Sequence, residues 1–563
     1  MDIEETIYKY ALTNAVEHGN NCQTGSVIGM VMSKHPDMRK DPKTVSQLAG
    51  KLVAKVNAMS PEEQQKELDQ LGGIEEHKRA PEKPKGLPEL ENIKDGKVKL
   101  RFAPNPSGPL HIGHARAAIL NLLYQKKYDG KLVLRIEDTD PKRVEPDAYT
   151  AIPEDLAWLG IEADEAYIQS DRLDIYYEYA VKAIECGAAY MCTCDGGDFK
   201  KLKDNCEPCP CRDHSVEENM ELWNKFPEMD EGEAVLRVKT DIAHKNPAIR
   251  DWVAMRIVNQ EHPRIGNKYK IYPMMNFSVT VDDHLLGITH VLRGKDHLAN
   301  SEKQAYLYEH FGWDIPEFIH YGRLKMDDVL LSTSKAREGI ENGTYSGWDD
   351  PRLGTIKAIA RRGIKKEVLY ELIEEIGTKQ ADATISWKKI YGLNRNIIEE
   401  ETNRYFFIPE AVKVDIENLP EDKKELTVER ELHYNEPEKG FRTLKFNGSA
   451  YIPKDDYDQA VNNNKPLRLM DLVNITVTGD SAMYDSDSLE EAQSKHARII
   501  QWSPVDESIS AKVVMPDNSV VEGYIETDSK DVHVDDMVQL ERFGFARVDN
   551  ITKDGITFYY THN

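Results

Sequence analysis

Two histidines three residues apart, His111 and His114, follow a turn built of Pro104-Asn105-Pro106-Ser107-Gly108-Pro109-Leu110. Residues three apart share one face of a helix. A helix N-terminus supplies unpaired N–H groups and a positive dipole, so polyphosphate is favoured there. Gly113, between Ile112 and His114, leaves room for a purine ring or ribose on the backbone. Two imidazoles so placed can donate hydrogen bonds to phosphate oxygens as negative charge shifts in a transition state. The spacing alone specifies an anion site. No Gly-Lys in the chain precedes Ser or Thr, so no Walker-type loop competes.

The second chemical cluster is sulfur. Five of the seven cysteines fall between Cys192 and Cys211. A local cluster in a large chain reads as a metal site rather than a disulfide scaffold. Cys192, Cys194, Cys209 and Cys211 form two CxC pairs that supply four thiolates for tetrahedral zinc. A CxC plus CxxC pairing through Cys206 is the alternative, His214 is a substitute ligand, and five reduced thiols without metal are a further reading. Cys22 and Cys186 read as packing residues.

The elements around the histidines follow from periodicity. Lys97 to Phe102 reads as a strand, and Ala115, Ala118, Ile119, Leu122 and Leu123 recur at helical spacing. Leu132 to Ile136 is a second apolar strand, which completes a βαβ unit and starts a parallel sheet. The pattern returns with a strand at Ile288 to Leu292. A helix follows that Ser301 and Gln304 would open as a capping box and Gly312 would close. The α/β core is therefore split, with residues 97–185 and 271–335 as its halves and 186–270 inserted. Residues 1–80 look helical and 81–96 form a proline-rich linker. Residues 336–404 read as a helical connector with basic clusters at Arg361-Arg362, Lys365-Lys366 and Lys388-Lys389. From 405 to 563, short alternating segments separated by turns predict an all-β barrel region.

The chain has 563 residues, which predicts three or more domains. No apolar run reaches the length of a membrane span, so an integral membrane protein is not expected. The start, MDIEETIYKY, lacks the basic and apolar stretches of a secretory signal, and a cytoplasmic location is expected. The net charge of −25 does not exclude a nucleic-acid partner, because binding needs only a local basic groove.

Arg101 to Asn121, RFAPNPSGPLHIGHARAAILN, resembles the signature of class I aminoacyl-tRNA synthetases, and more narrowly of their glutamyl/glutaminyl subgroup. The match continues through Leu134 to Asp140, Gly287 to Gly294 and Gly347 to Arg352. It covers residue 97 to the end, and the β-rich C-terminus is similar to the archaeal type. The resemblance implies a Rossmann-like catalytic core, an inserted acceptor-stem domain and tandem anticodon-binding barrels. It also implies ATP with Mg²⁺, glutamate activation as an adenylate, and transfer to the 3′ end of tRNA(Glu). His111 and His114 are carried over as catalytic, within an ATP-binding stretch from Pro104 to His114. Leu331-Ser332-Thr333-Ser334-Lys335 stands where the family has a flexible KMSKS loop. Lys335 is the expected phosphate cation, with Ser332 and Ser334 beside it. Thr333 departs from the pattern, occupying the expected position of the second family lysine.

Arg293 falls where the resemblance places the side-chain selector. A buried carboxylate needs a cation, and an Arg–carboxylate fork is geometrically selective. The remaining glutamate-site residues are Arg101 for a substrate carboxylate, Glu137 for the α-ammonium, and Ala103, Asn105, Tyr272 and Asn276 as lining. Relatives often carry tyrosine where Met275 stands. Rival readings are a glutaminyl enzyme, a non-catalytic tRNA-binding scaffold, and an enzyme that also charges tRNA(Gln) for an amidotransferase. A monomer is expected.

Overall fold

A computed structural model describes residues 3–17, 20–35, 42–71, 86–479 and 481–563. Residues 72–85, which hold the end of the expected helical domain and the start of the expected linker, lie outside them. The chain divides into two compact units, Met1–Lys85 and Gly86–Asn563. The first contains α1 (Ile3–Glu17), α2 (Thr24–Lys34), α3 (Pro42–Asn57) and α4 (Pro61–Gln70). Ile7, Ala11, Ala15, Leu52, Val53 and Val56, the residues at helical spacing, fill its core with Val27, Val31 and Leu68.

The second unit begins with three parallel strands, β1 (Lys99–Phe102), β2 (Lys131–Ile136) and β3 (Glu165–Ile168), in that order across the sheet. The helices α5 (Ile112–Lys127), α6 (Ala148–Leu159) and α7 (Leu173–Glu185) alternate with them. The insertion follows, with β4 (Ala189–Cys192), α8 (Gly196–Asp204), α9 (Val216–Lys225), β5 (Val235–Val238), β6 (Val253–Ile257) and β7 (Ile271–Pro273). Its four strands form one antiparallel sheet, and Tyr272 lies on the last of them.

After α10 (Met275–Leu285), the core resumes with the parallel pair β8 (His290–Gly294) and β9 (Glu317–Tyr321), joined by α11 (Leu298–Phe311). The strand expected at 288–292 thus sits two residues further on. Thr289 donates its N–H to the Lys99 carbonyl at 2.9 Å, and its hydroxyl accepts the Lys99 N–H at 2.9 Å. That places β8 beside β1 and closes the split sheet. Crossovers leave this junction in opposite directions, so the carboxyl ends of β1 and β8 open a crevice, where ligands bind in such sheets.

The helix α12 (Thr333–Glu341) and the connector helices α13 (Ile356–Arg361), α14 (Lys366–Ile376) and α15 (Trp387–Ile398) follow. Leu372, Ile373 and Ile390 share one core with Leu100 and Ile119, so the connector packs on the catalytic layer. Buried Arg116 on α5 donates to the carbonyls of Gly322 at 2.6 Å and Gly377 at 2.8 Å. It locks the histidine-bearing helix to β9 and to the connector.

The C-terminal region forms two seven-stranded barrel-like sheets that are nested rather than successive. Asn403–Tyr405 and Phe407–Pro409 pair with strands at Met537–Leu540 and Val520–Glu526, while residues 412–504 build the other sheet in between. Alternation revealed the strands but not this pairing, which is long-range. No helix among the described residues is long and apolar enough to cross a membrane.

Candidate active site

His111 is the N-cap of α5 and His114 its third residue, and their rings stack with centroids 3.7 Å apart. His111 Nδ1 accepts the Gly113 N–H at 3.0 Å, and His114 Nδ1 accepts the His111 N–H at 3.4 Å. Each ring is thereby fixed as the tautomer that carries its proton on Nε2, and neither Nε2 has a partner among the described residues. A Cβ on Gly113 would lie 2.8 Å from the His111 ring, so the space this glycine leaves is taken by that imidazole. Burial lowers the His111 pKa to about 4 and that of His114 to about 3, so both rings are neutral donors at pH 7.

The expectation of unpaired helix-end N–H groups is not met. Ile112 N–H donates to the Gly354 carbonyl at 3.1 Å, and Gly113 N–H is held by His111. The donors left open at this end of α5 are the Nε2–H groups of the two imidazoles.

The turn before the helix is pinned by Asp155 on α6, whose Oδ2 accepts the Leu110 N–H at 2.7 Å. Burial pushes the Asp155 pKa up to about 7. Its ionised form is disfavoured in the fold, so this group costs stability as pH rises from the ordinary carboxylate value toward 7. Asp155→Asn keeps an acceptor without the charge. It is expected to raise the unfolding midpoint at pH 8, by a margin that shrinks as pH falls toward 4; thermal scans across that range check it.

The crevice holds a cavity of about 420 Å³, within the roughly 300–1,000 Å³ range of small-molecule sites. From β1 and its turn come Arg101, Ala103, Pro104 and Asn105, from α5 His114, from the end of β2 Glu137, from β7 Tyr272, and from β8 Arg293. Asn276 is buried behind the wall and is not among the lining residues. Sequence reasoning missed Arg143, Arg256, His297 and Tyr321 on the same wall.

The charges in the cavity are ordered by pairing. Arg135, fully buried beneath it, binds Asp283 at 2.6 Å and donates to Glu137 Oε1 from Nη2 at 2.9 Å. Burial acts to raise the Asp283 pKa, but Arg135 and Arg101 outweigh it and hold the carboxyl below the usual range. Burial raises the pKa of Glu137 despite the same arginines, and its Oε2 has no partner among the described residues. Arg101 is also paired with Asp283, at 3.6 Å. Among the described residues, Arg293 donates only to neutral oxygens, Ser301 Oγ and Gln304 Oε1, both at 3.1 Å. Those two residues were expected to cap α11; instead His297 is the N-cap, and both side chains face inward to hold the guanidinium. The Tyr272 hydroxyl is buried with no hydrogen-bond partner among the described residues.

The loop at 331–335 ends in α12, with Ser332 at its N-cap and Ser334 and Lys335 exposed. Gly108 has φ 142°, and a Cβ there would lie 2.5 Å from Thr333 Cγ2. Thr333 therefore packs on the turn that precedes the histidines. Arg337 fastens the same helix through the Ser107 carbonyl and through Glu145 at 2.6 Å. Lys335 is not among the cavity-lining residues and forms no ion pair among the described residues.

Residues 97–400 match the tRNA synthetases class I (E and Q) catalytic domain, and 402–496 and 499–549 match two anticodon-binding domains of the same class. The chain belongs to the class I tRNA synthetases (E and Q). Over its full length it is 81% identical to a glutamate–tRNA ligase of Methanosphaera stadtmanae, covering 100% of both chains. Identity is 58% to the ligase of that name in Methanobrevibacter smithii and 57% to that in Methanothermobacter marburgensis, again covering 100% of each chain.

In this synthetase the cysteine cluster sits at the edge of the inserted sheet. The sulfurs of Cys192, Cys194, Cys209 and Cys211 lie within 4.8 Å of one another, while Cys206 is exposed. Cys192 and Cys209 are 4.0 Å apart, and Cys194 and Cys211 3.6 Å. A regular zinc tetrahedron with bonds of about 2.3 Å has sulfur–sulfur edges of about 3.8 Å, so the four thiols fit the metal.

The basic clusters of the connector are largely committed within the protein. Arg361 pairs with Asp349 at 2.8 Å and Asp549 at 2.9 Å. Buried Arg362 lies 4.1 Å over the Trp387 ring and donates to Tyr391. Lys365 pairs with Glu401 and Lys389 with Glu375. Most of these pairs lie within the connector itself, and Arg361 with Asp549 ties it to the C-terminal sheet.

Proposed function

We propose that this synthetase activates L-glutamate with ATP and transfers it to the 3′ end of tRNA(Glu). The observation that carries the amino-acid assignment is Arg293. It is a guanidinium only 7% exposed, lining the cavity beside His114 and Glu137, without a carboxylate partner among the described residues. A buried cation in that state is completed by an acidic side chain. The name glutamate–tRNA ligase carried by its full-length relatives agrees with this reading.

In the first step the glutamate α-carboxylate attacks the α-phosphorus of ATP in line, and pyrophosphate leaves. Glu137 Oε2 holds the α-ammonium, and Arg101 offers a second cation to a substrate carboxylate. The Nε2–H groups of His111 and His114 donate to the triphosphate, and Lys335, exposed in the first turn of α12, is the further cation for the phosphates. Mg²⁺ bound to ATP would supply further charge compensation on the phosphates. In the second step a ribose hydroxyl of the tRNA end attacks the acyl carbon, and AMP leaves. Aminoacylation of purified tRNA(Glu) and tRNA(Gln), each with glutamate and with glutamine, tests the reading. Charging of tRNA(Glu) with glutamine as efficiently as with glutamate would refute it. The tRNA(Gln) arm decides whether a misacylated product for an amidotransferase is made.

Cys192, Cys194, Cys209 and Cys211 would hold a structural zinc ion that ties β4 to the loop after α8. Purified protein is expected to contain about one zinc per chain, because four thiolates bind this ion tightly. Cys209→Ser is expected to lower that content and the unfolding midpoint together, as elemental analysis and thermal scans would record.

A further inference from the structure

The side chains that hydrogen-bond Arg293 are neutral, while the nearest carboxylates, Asp283 and Glu137, act on it without forming an ion pair with it among the described residues. Gln304 is fully buried, and its Nε2 donates to Asn276 Oδ1 at 3.1 Å. That bond fixes the amide with Oε1 turned to Arg293. Asn276 is held in turn by Asn300 at 3.1 Å, and Asn300 by His297 at 3.1 Å. On the other side, Ser301 Oγ lies 2.9 Å from His320 Nε2. Burial lowers the pKa of both His297 and His320, and nearby Arg293 acts in the same direction, so neither ring adds charge at neutral pH. By contrast, the neighbouring arginines, Arg101 and Arg135, are both matched to Asp283.

We infer that Gln304 is a specificity-determining positioning residue. Its neutral amide orients Arg293 while leaving the guanidinium charge for the substrate, and a carboxylate at this position would satisfy that charge internally. The inference rests on the reading that Arg293 meets the glutamate side chain, and it adds the reason that Arg293 is available to do so. A neutral acceptor fixes geometry at small electrostatic cost. A charged one would compete with the ligand for the same fork.

Gln304→Glu is nearly isosteric and tests this directly. In tRNA charging, kcat/KM for glutamate is expected to fall on the order of 10²–10³-fold, the range for losing a buried charge pair. The fall should lie mainly in KM, the preference for glutamate over glutamine should collapse, and KM for ATP should stay near wild type. Gln304→Met removes the hydrogen bond without adding charge. It should weaken glutamate use by a smaller factor and keep the preference. Equal losses in the two variants with the preference intact would overturn the inference and leave Gln304 a packing residue. If Gln304→Glu does not fold, Ser301→Asp brings a carboxylate to the guanidinium from the other neutral partner and is read the same way. Arg293→Gln separates the two levels of argument. If it keeps wild-type discrimination, the reading of Arg293 itself fails. If it loses discrimination while Gln304→Glu keeps it, only the role of Gln304 fails.

Discussion

Arg293→Gln is expected to reduce kcat/KM for glutamate by about 10²–10⁴-fold, the equivalent of the roughly 3–5 kcal/mol lost when a buried charge is left without its partner. Desolvation of the substrate carboxylate is the source of that magnitude. The variant still has Arg101 in the cavity, but Arg101 is already engaged by Asp283. Stability should move the other way. Burial and the nearby Arg101 pull the Arg293 pKa down to about 10, which marks a cation the fold holds at a cost. Removing it relieves that cost, so the unfolding midpoint should not fall. Lost activity with retained stability is the signature of a side chain kept for its ligand rather than for packing. Steady-state charging kinetics and a thermal scan on the same preparation test both halves. A large fall in the midpoint would assign Arg293 to structure.

Local patterns were legible in the sequence, and the pairings between them were not. The βαβ unit at 99–136 and the histidine turn could be read because each lies within a few dozen residues and carries its own punctuation. The cysteine cluster was legible as a metal site, but the choice of four from five stays open in the sequence between two CxC pairs and CxC plus CxxC; the fold gathers Cys192, Cys194, Cys209 and Cys211 and leaves Cys206 exposed. The errors arose where distant residues decide. Ser301 and Gln304 have the spacing of a capping box, yet Arg293 on the adjacent strand draws both inward. Arg361 reads only as part of a basic cluster, and its partner Asp549 lies far along the chain. The helix-end N–H groups looked free because nothing nearby in sequence reveals the Gly354 carbonyl. Asp155, Ser301 and Gln304 were invisible as site supports for the same reason. They act through a partner's backbone or guanidinium, and a single sequence records no such contact.

His114→Ala should lower kcat for adenylate formation by about 10²–10³-fold, the usual effect of removing one preorganised donor to developing charge. Because His114 lines the cavity and carries its proton on Nε2, its loss removes a hydrogen bond that strengthens as charge moves onto the leaving pyrophosphate. KM for ATP should change much less, since the ring is a neutral donor and contributes little to ground-state attraction. The pH profile adds an independent check. A histidine with an ordinary pKa would titrate near 6.5, and its protonation would alter phosphate binding there. With His114 held near 3 and His111 near 4 by burial, these two rings should leave kcat/KM for ATP free of an imidazole step between pH 8 and pH 6. Any step near 7 that persists in His114→Ala and disappears in Asp155→Asn belongs to the carboxyl group that pins the turn. Pyrophosphate exchange measured across that range separates the groups. A step near 6.5 in the wild type that His114→Ala abolishes would mean the ring enters the reaction as a cation, and the neutral-donor account would fail.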